Sequence, residues 1–193
     1  MRIKNVLIIQ LLVFCFMAVF NSGSANAMSQ AEIGKGDSSL AYGIQVLDGE
    51  IRALNLETEF GLSSNFGIEG IYTYIGESDD QSIDDEKDNK LDINAKLNIV
   101  NELDYDVTAV VGYHTDFEEG YPRIGVLYSK KENKLLDLNL GIDVLLKKDS
   151  NYLGYMLGFD YRLTENIYLE VGHRKFSGQE DTEGLNIGTR YYF

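Results

Sequence analysis

The sequence predicts an all-β fold, a closed antiparallel up-and-down barrel of ten strands, with eight as the alternative count. Three observations carry this reading. From Leu40 onward apolar and polar residues alternate with a period of two, and no stretch sustains an apolar period of 3.6. Tyrosine (13) and glycine (19) are frequent while proline occurs once, a usage that suits strands better than helix interiors. The last segment, Leu185 to Phe193, keeps the alternation to its final residue, so the C-terminus belongs to the sheet.

Taken in order, the strands are expected at Leu40–Leu47, Ile51–Leu62, Phe66–Ile75, Leu91–Val100, Tyr105–His114, Arg123–Ser129, Leu135–Lys147, Tyr152–Leu163, Ile167–Phe176 and Leu185–Phe193. The seventh is the plainest. Leu136, Leu138, Leu140, Ile142 and Val144 share one face, and Asp137, Asn139, Gly141 and Asp143 the other. In the eighth, Leu153, Tyr155, Leu157, Phe159, Tyr161 and Leu163 oppose Gly154, Met156, Gly158, Asp160 and Arg162. Most segments suffice to cross a bilayer as a tilted strand, which takes about 9–11 residues.

Connections alternate between two kinds. "SSN" at 63–65, "NELD" at 101–104, "KENK" at 131–134 and "TEN" at 164–166 are tight. The others include "GESDDQSIDDEKDNK" at 76–90, "TDFEEGYP" at 115–122 and "SGQEDTEG" at 177–184; "LDGE" at 47–50 and "KDS" at 148–150 join them by alternation. Short turns at one end and longer loops at the other characterise outer-membrane barrels, and an even strand number places both chain ends on the periplasmic side.

Residues 1–27 stand apart. Arg2 and Lys4 precede the apolar run Val6–Phe20, and Ala25-Asn26-Ala27 closes it as a small-x-small cleavage signal. This reads as a cleaved secretory signal peptide. Cys15 lacks the small preceding residue of a lipid-anchor site, and it is the single cysteine, so no disulfide is expected. Residues 28–38 form a polar lead-in that needs no ordered structure, and 39–193 form the barrel. The formal charge is -14, becoming -16 once Arg2 and Lys4 are removed; such a balance repels nucleic acid.

Alternation alone fits either a soluble sandwich or a membrane barrel. The polar face separates them. It holds Glu57, Glu59, Glu69, Asp92, Lys96, Asp106, Arg123, Asp137, Asp143, Lys147, Asp160, Arg162, Glu170, Arg174 and Arg190, interleaved with glycines such as Gly112, Gly125, Gly141 and Gly158. Glycine weakens a strand on a solvated face but makes room for long charged neighbours inside a narrow lumen. On the apolar face, Phe60, Phe66, Tyr105, Tyr128, Tyr161, Tyr191 and Phe193 fall near the tight turns; Tyr42, Tyr72, Tyr74, Tyr113 and Tyr155 fall toward the other ends. Two aromatic belts flanking an aliphatic band match the interfaces of a membrane barrel. That face is nearly free of charge; Arg52, His173 and Lys175 lie near its outer rim.

With the signal end, the penultimate "LTENIYLEVGHR" and the terminal "GTRYYF", the chain resembles small bacterial outer-membrane β-barrels of the OmpA-transmembrane, OmpX and YfaZ kind. The ten-strand count favours a YfaZ-like member. The resemblance implies a Gram-negative cell outer membrane, contact with its lipid and lipopolysaccharide, and a monomer. It further implies a C-terminal signal, Tyr191 and Phe193, read by the barrel-assembly machinery after escort by periplasmic chaperones.

No catalytic residues, metal site or cofactor are expected. His114 reads as a polar lumen residue, since no metal-ligand spacing surrounds it. His173 and Ser177 share a face at the top of strand nine, as in PagL-type lipid A deacylases, but that family spaces the pair by two residues and Lys175 occupies that position here. Omptin-type proteases also have ten strands, with acid and histidine sites on longer strands and loops than this chain possesses. The acidic loop at 76–90 lacks the glycine of an EF-hand register. The expected role is therefore structural or surface-interactive, with a charged, largely plugged lumen. A narrow porin for small ions or solutes is the alternative, and a lipid A-modifying enzyme the second.

Overall fold

The computed structural model describes residues 30, 31, 36, 38–47, 50–75, 89–148, 150–177 and 184–193. Residues 1–27, read above as a signal peptide, and most of the 76–90 and 177–184 loops lie outside the described residues. Ten antiparallel strands close into one barrel in simple up-and-down order. They are β1 (Ser38–Leu47), β2 (Glu50–Ser63), β3 (Phe66–Ile75), β4 (Lys90–Asn101), β5 (Tyr105–Thr115), β6 (Gly120–Asn133), β7 (Leu136–Leu145), β8 (Tyr152–Arg162), β9 (Ile167–Ser177) and β10 (Gly184–Tyr192).

Closure is made by β1 against β10, from Ser39 opposite Tyr192 to Gln45 opposite Asn186. The terminal residue completes this seam: the Phe193 amide donates to the Ser38 carbonyl at 3.0 Å, and the Phe193 ring stacks on Tyr191 at 5.9 Å between centroids. A closed barrel leaves no strand edge unpaired, a requirement in hydrocarbon.

Strand β6 is longer than its pattern suggested. It takes in Gly120-Tyr121-Pro122 and runs on to Asn133, narrowing the turn to Lys134 and Leu135. Proline reads as a break because it lacks an amide donor. Here Pro122 faces outward near the strand end, and its carbonyl still accepts from the Leu146 amide at 2.9 Å. Register shifts occur at Gly61/Ser63, Asn98/Val100 and Lys131/Asn133, each beside a tight turn. Bulges there sharpen the twist that lets a sheet close at its rim.

Burial runs opposite to that of a soluble sandwich. Val111, Ile142, Leu54 and Ile93 are 60%, 61%, 55% and 55% exposed, while Arg190, Lys96, Glu57, Glu69 and Glu170 are completely buried. The strand parity that turns aliphatic side chains outward therefore turns the ionic ones into the lumen, and only an apolar surrounding makes that arrangement favourable.

Of the lead-in, residues 30, 31, 36 and 38 are described. Gln30 and Ala31 are buried inside the barrel. Gly36 lies at the rim that carries the tight turns, its amide donating to the Gly61 carbonyl at 2.9 Å beside the β2–β3 turn.

Candidate functional site: the barrel lumen

Period-two alternation places Glu57 and Glu59 on one face of β2 and Glu69 on the matching face of β3, with Glu59 directly opposite Glu69. Like charges so paired repel. Lys96 of β4 resolves this: its Nζ lies 2.9 Å from Glu59 Oε2 and 3.5 Å from Glu69 Oε1, while Asn94 Nδ2 donates to the other Glu69 oxygen at 2.8 Å. Arg190 of β10 joins three further strands. Its Nη2 donates to Glu57 at 2.5 Å, its Nε to Glu170 of β9 at 2.5 Å, and its Nη1 to Ser39 Oγ of β1 at 2.9 Å. The planar guanidinium suits this use because its donors diverge in a fixed fork.

A second cluster lies nearer the long-loop end. Arg123 of β6 donates to Asp143 of β7 at 2.7 Å and reaches Asp92 of β4 at 3.4 Å. Arg174 of β9 donates to the same Asp143 oxygen at 3.1 Å, and His114 Nδ1 sits 3.0 Å from Asp92. Carboxylates and cations alternate through this set, so each buried charge faces its opposite.

The third group surrounds Gln30 and Ala31. Gln30 Nε2 donates to Asp160 Oδ2 at 2.6 Å, and the Tyr192 hydroxyl donates to Gln30 Oε1. Asn139 donates to the same Asp160 oxygen. The Ala31 amide donates to Ser129 Oγ at 2.9 Å, and its carbonyl accepts from Thr108 Oγ1 at 2.6 Å. The Ala31 methyl group joins an apolar cluster of Val110, Leu127 and Met156. A coil segment buried in a lumen has no ladder to satisfy its backbone; here barrel hydroxyls satisfy it instead.

Most residues expected in the lumen network are buried there: Glu57, Glu59, Glu69, Asp92, Lys96, Asp106, Arg123, Asp143, Asp160, Glu170, Arg174 and Arg190. Asp106 accepts from Asn98 at 3.2 Å. Asp137 and Arg162 are half-buried at the tight-turn rim. The Arg162 guanidinium donates to the Thr164 and Glu165 carbonyls at 3.2 and 3.1 Å, closing the β8–β9 turn rather than entering the network. Lys147 lies beyond the end of β7, at the opposite rim, 3.6 Å from Glu119 Oε2 and over the Tyr121 ring.

Sequence reasoning that tracked only charges missed Ser39, Asn94, Asn139, Thr108 and Ser129, although strand parity assigns each of them inward. It missed Val110 and Leu127 because an inward aliphatic breaks the polar face. Nothing in the sequence marked Gln30 and Ala31.

One oxygen from each of Glu57, Glu59 and Glu69 lies within 4.8 Å of the others, a spacing a metal ion could bridge. Lys96 Nζ and the Arg190 guanidinium already approach these groups, so positive charge is supplied covalently. His173 stacks on Tyr155 on the outer face, with ring centroids 6.1 Å apart. Between the second and third groups, a cavity of about 10 Å³ is lined by Val110, Arg123, Gly125, Leu127, Gly141, Ile142, Asp143, Met156 and Arg174. That is room for about one water molecule.

No protein-family model and no curated protein matches this chain. Solved structures do. KdgM porin in complex with disordered oligogalacturonate superposes with a TM-score of 0.51 at 12% identity, covering 80% of this chain and 99% of that one. KdgM porin alone gives 0.51 at 11% identity over the same shares. The outer membrane protease OmpT from Escherichia coli gives 0.47 at 12% identity, covering 82% and 94%. At these identities the likeness is one of fold: the chain is built as a small outer-membrane β-barrel.

Proposed function

We propose that this chain is an integral outer-membrane β-barrel whose lumen is closed in its resting state, serving a structural or surface-interactive role in the cell envelope without catalysis. One observation carries the reading: among the described residues the lumen is occupied by its own ionic and polar side chains together with Gln30 and Ala31, and a cavity between Arg123, Asp143 and Met156 measures about 10 Å³. A lumen of this strand number is narrow enough for side chains to fill. The apolar band and aromatic side chains outside suit lipid and lipopolysaccharide as surroundings, for a monomer. Tyr191 and Phe193 at the seam suit recognition by the assembly machinery. Purified protein in a planar bilayer is expected to give no defined conductance steps; sustained unitary steps from the unaltered chain would overturn the closed-lumen reading.

The porin reading draws on the likeness to KdgM porin. That porin's ligand does not transfer easily. Among the described residues the lumen buries eight carboxylates (Glu57, Glu59, Glu69, Asp92, Asp106, Asp143, Asp160 and Glu170) against four cations (Lys96, Arg123, Arg174 and Arg190). Such a field repels a polyuronate.

A further inference from the structure

We propose that the tight-turn mouth of the barrel holds a site for a small phosphate-bearing molecule, formed by Lys134 and Arg162 beside the Tyr168 ring. The site lies outside the ionic network of the lumen, so it stands whether or not the lumen conducts.

Three observations carry it. First, the mouth is concave. A cavity of about 350 Å³ is lined by Lys131, Asn133, Lys134, Asp137, Arg162 and Tyr168, from the β6–β7 turn and the neighbouring ends of β6, β7, β8 and β9. That volume suits a small molecule. Second, the lining is cationic in a chain of formal charge -14. Three cations accompany one carboxylate, a surplus of two positive charges. Lys131 stands opposite Asp137 across the β6–β7 pair, which leaves Lys134 and Arg162 as the surplus. Among the described residues neither pairs with a carboxylate, whereas Lys96, Arg123, Lys130, Arg174 and Arg190 each lie within 3.1 Å of one. Of the acids in the flanking turns, Glu132 is held by Lys130 at 2.6 Å, and Glu102, Asp104 and Glu165 do not line the cavity. A phosphate monoester carries about -1.5 to -2 charge at pH 7, which matches the surplus. Third, Arg162 is pre-organised. Its Nε and Nη2 donate to the Thr164 and Glu165 carbonyls at 3.2 and 3.1 Å, and its guanidinium lies over the Tyr168 ring at 5.7 Å. Tyr168 in turn meets Tyr192 edge-on at 5.3 Å. The carbonyls orient the cation without neutralising it. The remaining N–H groups of the fork can then serve an oxyanion without the cost of ordering a loose side chain. The phosphate can belong to a lipid headgroup of the adjoining leaflet or to a soluble ester.

Titration by NMR tests this. The chain, isotope-labelled and folded into nanodiscs of zwitterionic lipid, is titrated with inorganic phosphate and with glycerol 3-phosphate at constant ionic strength. Saturable shifts are expected at the Lys134 and Tyr168 amides and at Arg162 Nε. Lys134→Gln with Arg162→Gln should weaken affinity at least tenfold. Unboiled gel mobility reports folding; should that variant fail to fold, Lys131→Gln with Lys134→Gln, which keeps the turn bonds of Arg162, decides. Lys148→Gln, exposed at the opposite rim, should bind as the unaltered chain does. Nanodiscs containing phosphatidylglycerol identify the source. If headgroups supply the phosphate, the same resonances are shifted before soluble ligand is added; if a soluble ester supplies it, they are not. No saturable shift with either soluble probe, and none with the anionic lipid, would overturn the site. So would unchanged affinity in the folded double variants, or an equal loss in Lys148→Gln. None of these readouts depends on conductance, so the closed-lumen reading stands or falls separately in the planar bilayer.

Discussion

Arg190→Met isolates the central ionic link. Arg190 is completely buried, and its guanidinium serves Glu57 and Glu170 at 2.5 Å each and Ser39 at 2.9 Å. Each charge-assisted bond contributes about 1.5–3 kcal/mol. Adding two of them overstates the loss, because methionine no longer bears the desolvation cost of a guanidinium. What dominates is the pair of buried carboxylates left without a counter-charge, for which about 3–5 kcal/mol is expected. Combining Arg190→Met with Glu57→Gln and Glu170→Gln removes those charges and should recover most of the stability. Urea titration of folding into lipid vesicles measures this, read by circular dichroism and unboiled gel mobility because the chain has no tryptophan. A single-variant loss under about 1 kcal/mol, the range of exposed pairs, would refute the reasoning. So would a triple variant less stable than the single one.

Val111→Arg places a charge on the apolar face, at a residue 60% exposed to the surroundings; a loss of about 2–4 kcal/mol is expected in the same titration if hydrocarbon surrounds it, and a neutral effect would indicate water there. Gly112→Ala should cost about 1–3 kcal/mol by overpacking, since its Cβ would lie 2.0 Å from Asn94 Oδ1 and 2.6 Å from the Ile93 carbonyl oxygen. In the β5–β6 loop, slight burial raises the Asp116 carboxyl pKa, but the Glu119 and Glu118 amides donate to it at 2.7 and 3.0 Å and hold the net value below the usual range. A lowered folded value means the ionised form supports the loop above the unfolded pKa, and that support disappears as pH falls through the folded one. Exchange of those two amides, corrected for intrinsic rate, should therefore quicken under acid, and Asp116→Asn should abolish the pH dependence.

The ten strands and their order were legible because side-chain alternation is a local consequence of the pleat. Leu138 and Asp143 reveal their faces without knowledge of any partner. Boundaries were less legible where local chemistry misleads: Pro122 reads as a break, yet in β6 it forfeits only one donor. The lumen set was legible as a face but not as a network. Arg162 has the parity of Asp160 and one further turn of the strand carries it to the rim, where the carbonyls of Thr164 and Glu165 claim it. Gln30 and Ala31 were illegible because no period runs through them.

By itself, then, the sequence determined a closed antiparallel barrel with oily side chains outward and ionic ones inward, since a two-residue repeat needs nothing beyond neighbouring residues. Which charges meet, and which side chains receive Gln30 and Ala31, were decided only when the sheet closed. Ser39 and Arg190 are separated by 151 residues, Glu57 and Arg190 by 133, Gln30 and Asp160 by 130. Contacts over such separations follow from shear and closure of the whole barrel, which no local pattern encodes.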